Sequence, residues 1–285
     1  MIITVTLNAA IDKTLEVPSF KLGRRHRAVE QTSMAGGKGV NVARALKTLG
    51  QPVIATGVAG GPTGTRIIEQ LTEEAILNDF VRIREESRTS TALIDPTSGV
   101  QTEVNEPGPE VSEAEMSLFC EKLVYLAKGA DICVFAGSHP RGVDDKIYAD
   151  LIGELKRLGL TTVIDTEGEP MNLAPRAGPD LVSPNAGEAE ELVGREHESR
   201  LYDVRTERLE PVSAIGAGDV FLAGYLSARY TGRPHAEALR FAVACGAEST
   251  LHLGAGVLDP RAAERLEEEV ELTELEEPAP LDART

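Results

Sequence analysis

Short β-branched runs alternate with stretches of helical period along most of this chain, and that alternation narrows the possible folds more than any other feature. "IITVTL" (2–7), "PVIATGVAG" (52–60), "DICVFAG" (131–137), "TTVID" (161–165) and "DLVSPN" (180–185) read as strands. Between them, "KGVNVARALKTLG" (38–50), "TRIIEQLTEEA" (65–75), "SEAEMSLFCEKLVYLAKG" (112–129) and a segment closing at "KRLGL" (156–160) read as helices. Strands this apolar, separated by helices, imply a parallel sheet covered on both faces. Two stretches break the rhythm. Residues 13–33 and 88–105 alternate polar with apolar around turn residues and carry no helical pattern. They are expected to form a small antiparallel sheet inserted in one large α/β domain, placed as a lid beside a strand-end crevice.

The charge balance excludes one class of partner. With 46 acidic against 29 basic side chains and a formal charge of -17, the surface repels a phosphate backbone, so no nucleic acid is expected to bind. Cys120, Cys133 and Cys245 are odd in number and widely spaced, which fits buried thiols in a reducing compartment. The start "MIITVTLNAAIDK" has no basic leader, and no apolar run approaches the roughly 18 residues that a membrane span requires. The expectation is a soluble cytoplasmic protein with no membrane partner. The acidic "ERLEEEVELTELEEPAP" near the end reads as a solvated helix and tail.

Chemistry concentrates at glycine-flanked helix starts. In "SAIGAGDVFLAG" (213–224), Gly216 and Gly218 let backbone amides point outward where a helix begins, which makes an anion hole. Asp219 at that helix mouth suits a base taking a proton from an attacking hydroxyl; as an isolated motif it is equally an N-terminal cap beside a tight turn. The spacing is neither a dinucleotide fingerprint nor a Walker A loop. "GGKGVNVARAL" places Lys38 and Asn41 in the first turn of a second helix, where cation, amide and backbone donors can meet an anionic or polyhydroxy ligand, or where Gly36 and Gly37 merely turn the chain. Asp12 follows the first strand at its carboxyl end, although Asp is also a common turn residue. In "SPNAGEAEEL" (183–192), Asn185 and Glu188 lie three apart, a spacing that serves a hydrated magnesium ion or a capping-box pair. Ser138 in "AGSHPRG" can reach a sugar hydroxyl; His139 beside it reads as structural.

"LNAAIDKTLEV", "AGGKGVNVARALKTLG", "TEVNEPGP", "AGSHP", "DTEGE", "PNAGEAEEL" and "GAGDVFLAG", in this order from about residue 4 to about residue 256, resemble the PfkB or ribokinase-like carbohydrate kinase family. The resemblance is strongest to its 1-phosphofructokinase and tagatose-6-phosphate kinase branch, and Glu103 stands where some members place a second lid arginine. It implies a ribokinase-like αβα sandwich over residues 1–285, with a mainly parallel central sheet and the β lid at 13–33 and 88–105, lids often pairing in a homodimer. It further implies ATP and magnesium as cofactors. Asp219 would be the catalytic base, with Gly216, Ala217 and Gly218 as the anion hole. Asp12, Gly37, Lys38, Asn41, Arg88 and Ser138 would contact the sugar phosphate, Arg88 reaching its phosphate from the lid. Asn185 and Glu188 would serve the magnesium ion, and "FAVACGAEST" (241–250), with Gly246, the adenine. The implied reaction is phosphorylation of fructose 1-phosphate at its 6-hydroxyl, with tagatose 6-phosphate at its 1-hydroxyl as the alternative, or sugar-phosphate binding without transfer.

That last alternative arises from the interval between Gly194 and Glu210, which reads only "GREHESRLYDVRTERLE". The family continues at this point with a helix, a sheet strand and a glycine loop that lies against the nucleotide. A crossover of that kind takes on the order of 30 residues, so the interval is expected to contain neither the strand nor its loop.

Overall fold

The computed structural model describes residues 1–185, 188, 201–206 and 209–275. Its elements are β1 (Ile2–Thr6), β2 (Ala10–Glu16), β3 (Glu30–Gly36), α1 (Lys38–Thr48), β4 (Val53–Gly60), α2 (Gly61–Glu73), β5 (Leu77–Ile83), β6 (Arg88–Asp95), β7 (Val100–Asn105), α3 (Glu113–Ala127), β8 (Ile132–Ala136), α4 (Ile147–Arg157), β9 (Thr161–Asp165), α5 (Glu169–Leu173), β10 (Leu181–Val182), β11 (Leu201–Arg205), α6 (Ala217–Tyr230), α7 (His235–Ser249), α8 (Pro260–Glu267) and β12 (Glu271–Leu275). Six strands form one parallel sheet in the order β10-β9-β8-β1-β4-β5, with β1 central and in register with both neighbours (Ile2 opposite Val53 and Ile132). Successive side chains point to opposite faces, and each face is buried under helices. Ile2, Ala55 and Val134 join Val40, Leu46, Val220 and Leu226 on the side of α1 and α6. Ile3, Val5, Cys133 and Phe135 pack with Phe119, Leu123, Tyr148 and Leu155 on the side of α3 and α4. The result is the three-layer α/β arrangement that the alternating runs predict. The cysteines are free, Cys133 and Cys245 buried and Cys120 half-buried. No helix among the described residues is long and apolar enough to cross a membrane.

A second sheet of four strands, in the order β3-β2-β6-β7, contains most of 88–105 but only the two ends of 13–33, since 17–29 form no strand, and it reaches three residues beyond that stretch at each end. It is not wholly antiparallel as expected: β2 pairs antiparallel with β3, and β6 with β7, but β2 and β6 run parallel. The reason is topological. β2 follows β1 and β6 follows β5, so both leave the same carboxyl edge of the main sheet and travel outward together.

The acidic segment near the end is helical only at its start, where residues 264–267 close α8. After α8, residues 271–275 form β12, which pairs antiparallel with β11. Residues 276–285 lie outside the described ones. In the short interval after Gly194, residues 194–200 and 207–208 are likewise outside them, and 201–205 form β11. This strand is not the main-sheet strand whose absence the interval predicts. It does not extend the main sheet, which among the described residues ends at the two-residue β10.

Candidate active site

Seen from the carboxyl ends of the central strands, the molecule opens into a cleft of about 450 Å³ between the main sheet and the smaller one. Helix starts and strand ends bring its polar side chains together. Asp12 enters from β2, and its approach is close: a Cβ on Gly36 of the paired β3 would lie 1.9 Å from the Asp12 carboxylate and would displace it. Gly37, the cap of α1, donates its N–H to the same carboxylate. Burial raises the Asp12 pKa, opposed by that hydrogen bond and by the charges of Arg88 and Arg44. Lys38, the first residue of α1, holds the Asp165 carboxylate at the end of β9 at 2.6 Å. Burial disfavours its ammonium, but Asp165, and behind it Asp219 and Glu188, outweigh burial and raise its pKa.

Asp219 lies in the first turn of α6, 6% exposed, with Oδ2 accepting a hydrogen bond from Asn41 Nδ2 at 2.9 Å. Burial pushes its pKa up to about 7, against the Asn41 bond and Lys38 and with the help of Asp165 and Asp12. A carboxyl group so tuned changes protonation near neutral pH, where a general base works best. The helix mouth is shaped by Gly216, whose φ of 76° places it in the left-handed region and whose missing Cβ makes room for Ala255. The Ala217 N–H turns back to the Ala214 carbonyl at 3.3 Å. Gly218 faces open space, so an anion at this mouth meets the Gly218 side of the turn first.

On the lid side, Arg88 of β6 donates to the Asn8 carbonyl at 3.2 Å and to the Glu106 carbonyl at 3.4 Å, and Glu103 of β7 lines the same wall. Ser138, after β8, accepts from Asn8 Nδ2 at 3.2 Å. Asn185 and Glu188 also line the cleft and make the reciprocal pair of a capping box: the Asn185 N–H donates to Glu188 Oε2 at 2.8 Å, and the Glu188 N–H to Asn185 Oδ1 at 2.9 Å. These all-oxygen acceptors keep lone pairs free and suit a hard cation such as magnesium, which commonly takes one or two carboxylates and retains water. No group of three or more His, Cys, Asp or Glu side chains capable of holding a metal by themselves occurs among the described residues.

The structure therefore brings Asp12, Gly37, Lys38, Asn41, Arg88, Ser138, Asn185, Glu188, Gly216, Gly218 and Asp219 around one cleft, whereas Ala217 does not line it. Gly246 and the expected adenine stretch lie outside this cleft. None of residues 241–250 lines the cleft. They form the part of α7 that packs on α6, and a Cβ on Gly246 would come within 3.1 Å of Phe221 Cβ and 3.2 Å of the Ala217 carbonyl. Gly246 is a helix-packing glycine. His139, bonded to the Pro140 carbonyl and the Asp145 carboxylate, is structural as read. Asp165, Glu167, Asn8 and Asn105 line the cleft without having been singled out. For Asp165 the available signal was its place at the carboxyl end of "TTVID".

Comparison with known proteins gives one consistent result. The sequence pattern of the pfkB family carbohydrate kinases matches residues 5–209 and 199–262, two pieces that overlap in the short interval before α6. The tagatose-6-phosphate kinase of Staphylococcus epidermidis is 28% identical over 312 positions, covering 96% of this chain and all of the relative. Escherichia coli phosphofructokinase-2, solved in complex with substrates and products, superposes with a TM-score of 0.86 at 25% identity, covering 94% of this chain and 98% of that one. A Thermotoga maritima protein described as "Possible 1-phosphofructokinase" shares the fold with a TM-score of 0.88 at 23% identity over 97% of this chain and all of the other. The α/β fold is ribokinase-like.

Proposed function

We propose, because this chain belongs to the pfkB family of carbohydrate kinases, that it phosphorylates a ketohexose monophosphate, fructose 1-phosphate at its 6-hydroxyl foremost. The chain is a sugar-phosphate kinase that takes its phosphoryl group from ATP. The observation that carries the mechanism is the buried Asp219 at the mouth of α6, held by Asn41 and tuned to about pH 7. Asp219 takes the proton of the attacking sugar hydroxyl as its oxygen bonds to the transferred phosphorus and ADP leaves. The Gly218 side of the turn holds the charge on the transferred group, the Ala217 N–H being bonded to Ala214, and the Lys38 ammonium lies in the same field. Asn185 and Glu188 would hold magnesium, which when bound neutralises phosphate charge.

The sugar-phosphate end is assigned to the lid. Arg88 is half-buried and aimed into the cleft, and its guanidinium remains a donor-only cation although burial lowers its pKa against Asp12, Glu167 and Glu106. Removing it as Arg88→Ala is expected to raise KM for the sugar phosphate about 10- to 100-fold, the loss of a charge-assisted contact, with a smaller change in kcat. An unchanged KM would remove Arg88 from the phosphate site. A furanose bisphosphate is nearly symmetric, so one pocket accepts either end, and the Staphylococcus relative supports tagatose 6-phosphate at its 1-hydroxyl as the second reading. Coupled ADP-release kinetics over fructose 1-phosphate, fructose 6-phosphate and tagatose 6-phosphate are expected to give the highest kcat/KM with the first. Equal or absent turnover on all three rejects the assignment. Val100 and Val104 stand exposed on the lid strand β7 and support a homodimer formed lid to lid. Light scattering is expected to give a dimer mass for the native chain and a monomer mass for Val104→Lys.

A further inference from the structure

We infer that Arg44 is a positioning residue for the phosphoryl-transfer site, fixing which end of the Asn41 side chain faces Asp219; this rests on the reading of Asp219 as the base. Arg44 lies on α1 three residues after Asn41, on the same helical face, and is 6% exposed. It does not line the cleft. Its NH1 donates to Asn41 Oδ1 at 3.3 Å, and Asn41 Nδ2 in turn donates to Asp219 Oδ2 at 2.9 Å. A guanidinium has five donors and no acceptor, whereas an amide has a donor end and an acceptor end of nearly the same shape. Opposite Arg44 only the amide oxygen is favourable, so the amide nitrogen must point at Asp219. Without that contact the Asp219 carboxylate alone orients the amide, which is then free to turn or draw away from it.

The guanidinium itself is held on every side. Nε and NH2 grip the Glu74 carboxylate at the end of α2 at 2.5 and 3.0 Å, and NH2 also donates to the Ala35 carbonyl at 2.6 Å. NH1 donates to the Ala255 carbonyl at 3.0 Å. Ala255 is the residue for which Gly216 makes room, so Arg44 also supports the loop behind the anion hole. One planar group thus ties the lid strand β3, α2, the 254–256 loop and Asn41 together. An ammonium cannot span these partners, which separates Lys from Arg at this position.

A purely architectural ion pair between α1 and α2 would make a different prediction, and the test uses that difference. Lys38, Asp165 and Asp12 are the other charges that act on Asp219. Arg44→Lys, Asn41→Ala and the double variant are compared for kcat, KM, the pH profile of kcat/KM and melting temperature. Arg44→Lys is expected to lower kcat about tenfold with KM within about threefold, and to move the acid limb upward by about half to one pH unit, the equivalent of one hydrogen bond to the base. In the Asn41→Ala background Arg44→Lys is expected to change kcat by less than about twofold, because the amide through which it acts is gone. Multiplicative losses, or a lower melting temperature with the acid limb unmoved, overturn the inference. Should Arg44→Lys fail to fold, Glu74→Gln takes its place in the same cycle under the same criteria. If Asp219→Asn is inactive while the cycle is multiplicative, only the Arg44 role falls; if Asp219→Asn keeps wild-type turnover, the base assignment fails first.

Discussion

Replacing Asp219 with Asn is expected to lower kcat about 10²- to 10⁴-fold while leaving sugar-phosphate affinity within about threefold, the usual worth of a positioned general base. The amide keeps the shape and can still accept from Asn41, but it cannot take the proton. The same substitution should make the protein more stable at alkaline pH, because Asp219 is ionised there at the expense of burial. Its carboxyl is raised to about 7 in the folded chain, against about 3.9 for an unperturbed Asp. Below pH 4 both states hold the proton and nothing is lost. As pH rises towards 7 the unfolded chain releases it while the folded chain does not, so stability falls, and above 7 the full loss remains. At pH 8 the Asn variant escapes a penalty of up to about 4 kcal/mol. Its melting temperature should therefore exceed that of the wild type at pH 8 and approach it near pH 4. Turnover close to wild type would make Asp219 an ordinary helix cap, and a stability gain independent of pH would remove the burial argument. The wild-type kcat/KM should itself fall as pH drops below about 7, the acid limb of the base.

What the sequence discloses about such a site is set by how local the signals are. Glycines before Lys38 and around Ala217, and acids at strand ends, mark helix mouths within a few residues, and "IITVTL" or "DICVFAG" announce buried strands by composition alone. Asn41 and Asp219 meet across 178 positions, and Lys38 and Asp165 across 127. Only the parallel sheet order, with strand ends side by side, brings them together. Arg44 shows the limit more sharply: on a helix it reads as one more cation, and only the folded chain shows it inside, surrounded by carbonyls. The misreading of the acidic segment has the same origin. Residues 271–275 carry the glutamates of an exposed helix, yet pairing with β11, some 70 residues away, makes them a strand. Gly246, which the family resemblance links to the adenine, shows in the folded chain a second demand that no local pattern carries: its missing Cβ lets α7 approach α6.

ATP is expected to bind this chain about 10- to 100-fold more weakly than the sugar phosphate does, a gap of the size that one or two hydrogen bonds to a charged group supply. The half of the cleft proposed for the sugar phosphate is lined by Asp12, Asn41, Arg88 and Ser138. The nucleotide half is different. The family pattern breaks into two pieces at 199–209, and the alignment with the Staphylococcus relative runs over 312 positions although this chain has 285 residues. The relative thus carries residues that this chain lacks. Among the described residues the main sheet stops at the two-residue β10, beside which an open apolar recess of about 230 Å³ is lined by Val182, Pro184, Phe221, Tyr225 and Leu239. Phe221 also borders the main cleft, so the recess adjoins it on the side of the α6 mouth, where the proposed mechanism puts the nucleotide. An apolar wall can stack a base, but it offers no backbone donors to phosphates, which a glycine loop would. Calorimetric titration of ATP with magnesium and, separately, of fructose 1-phosphate measures the gap directly. A variant carrying a family-like insertion after His197 should bind ATP about 10- to 100-fold more tightly, with sugar-phosphate affinity unchanged. If the native chain binds ATP as tightly as the sugar phosphate, the shortened interval is dispensable and the nucleotide site is complete without it.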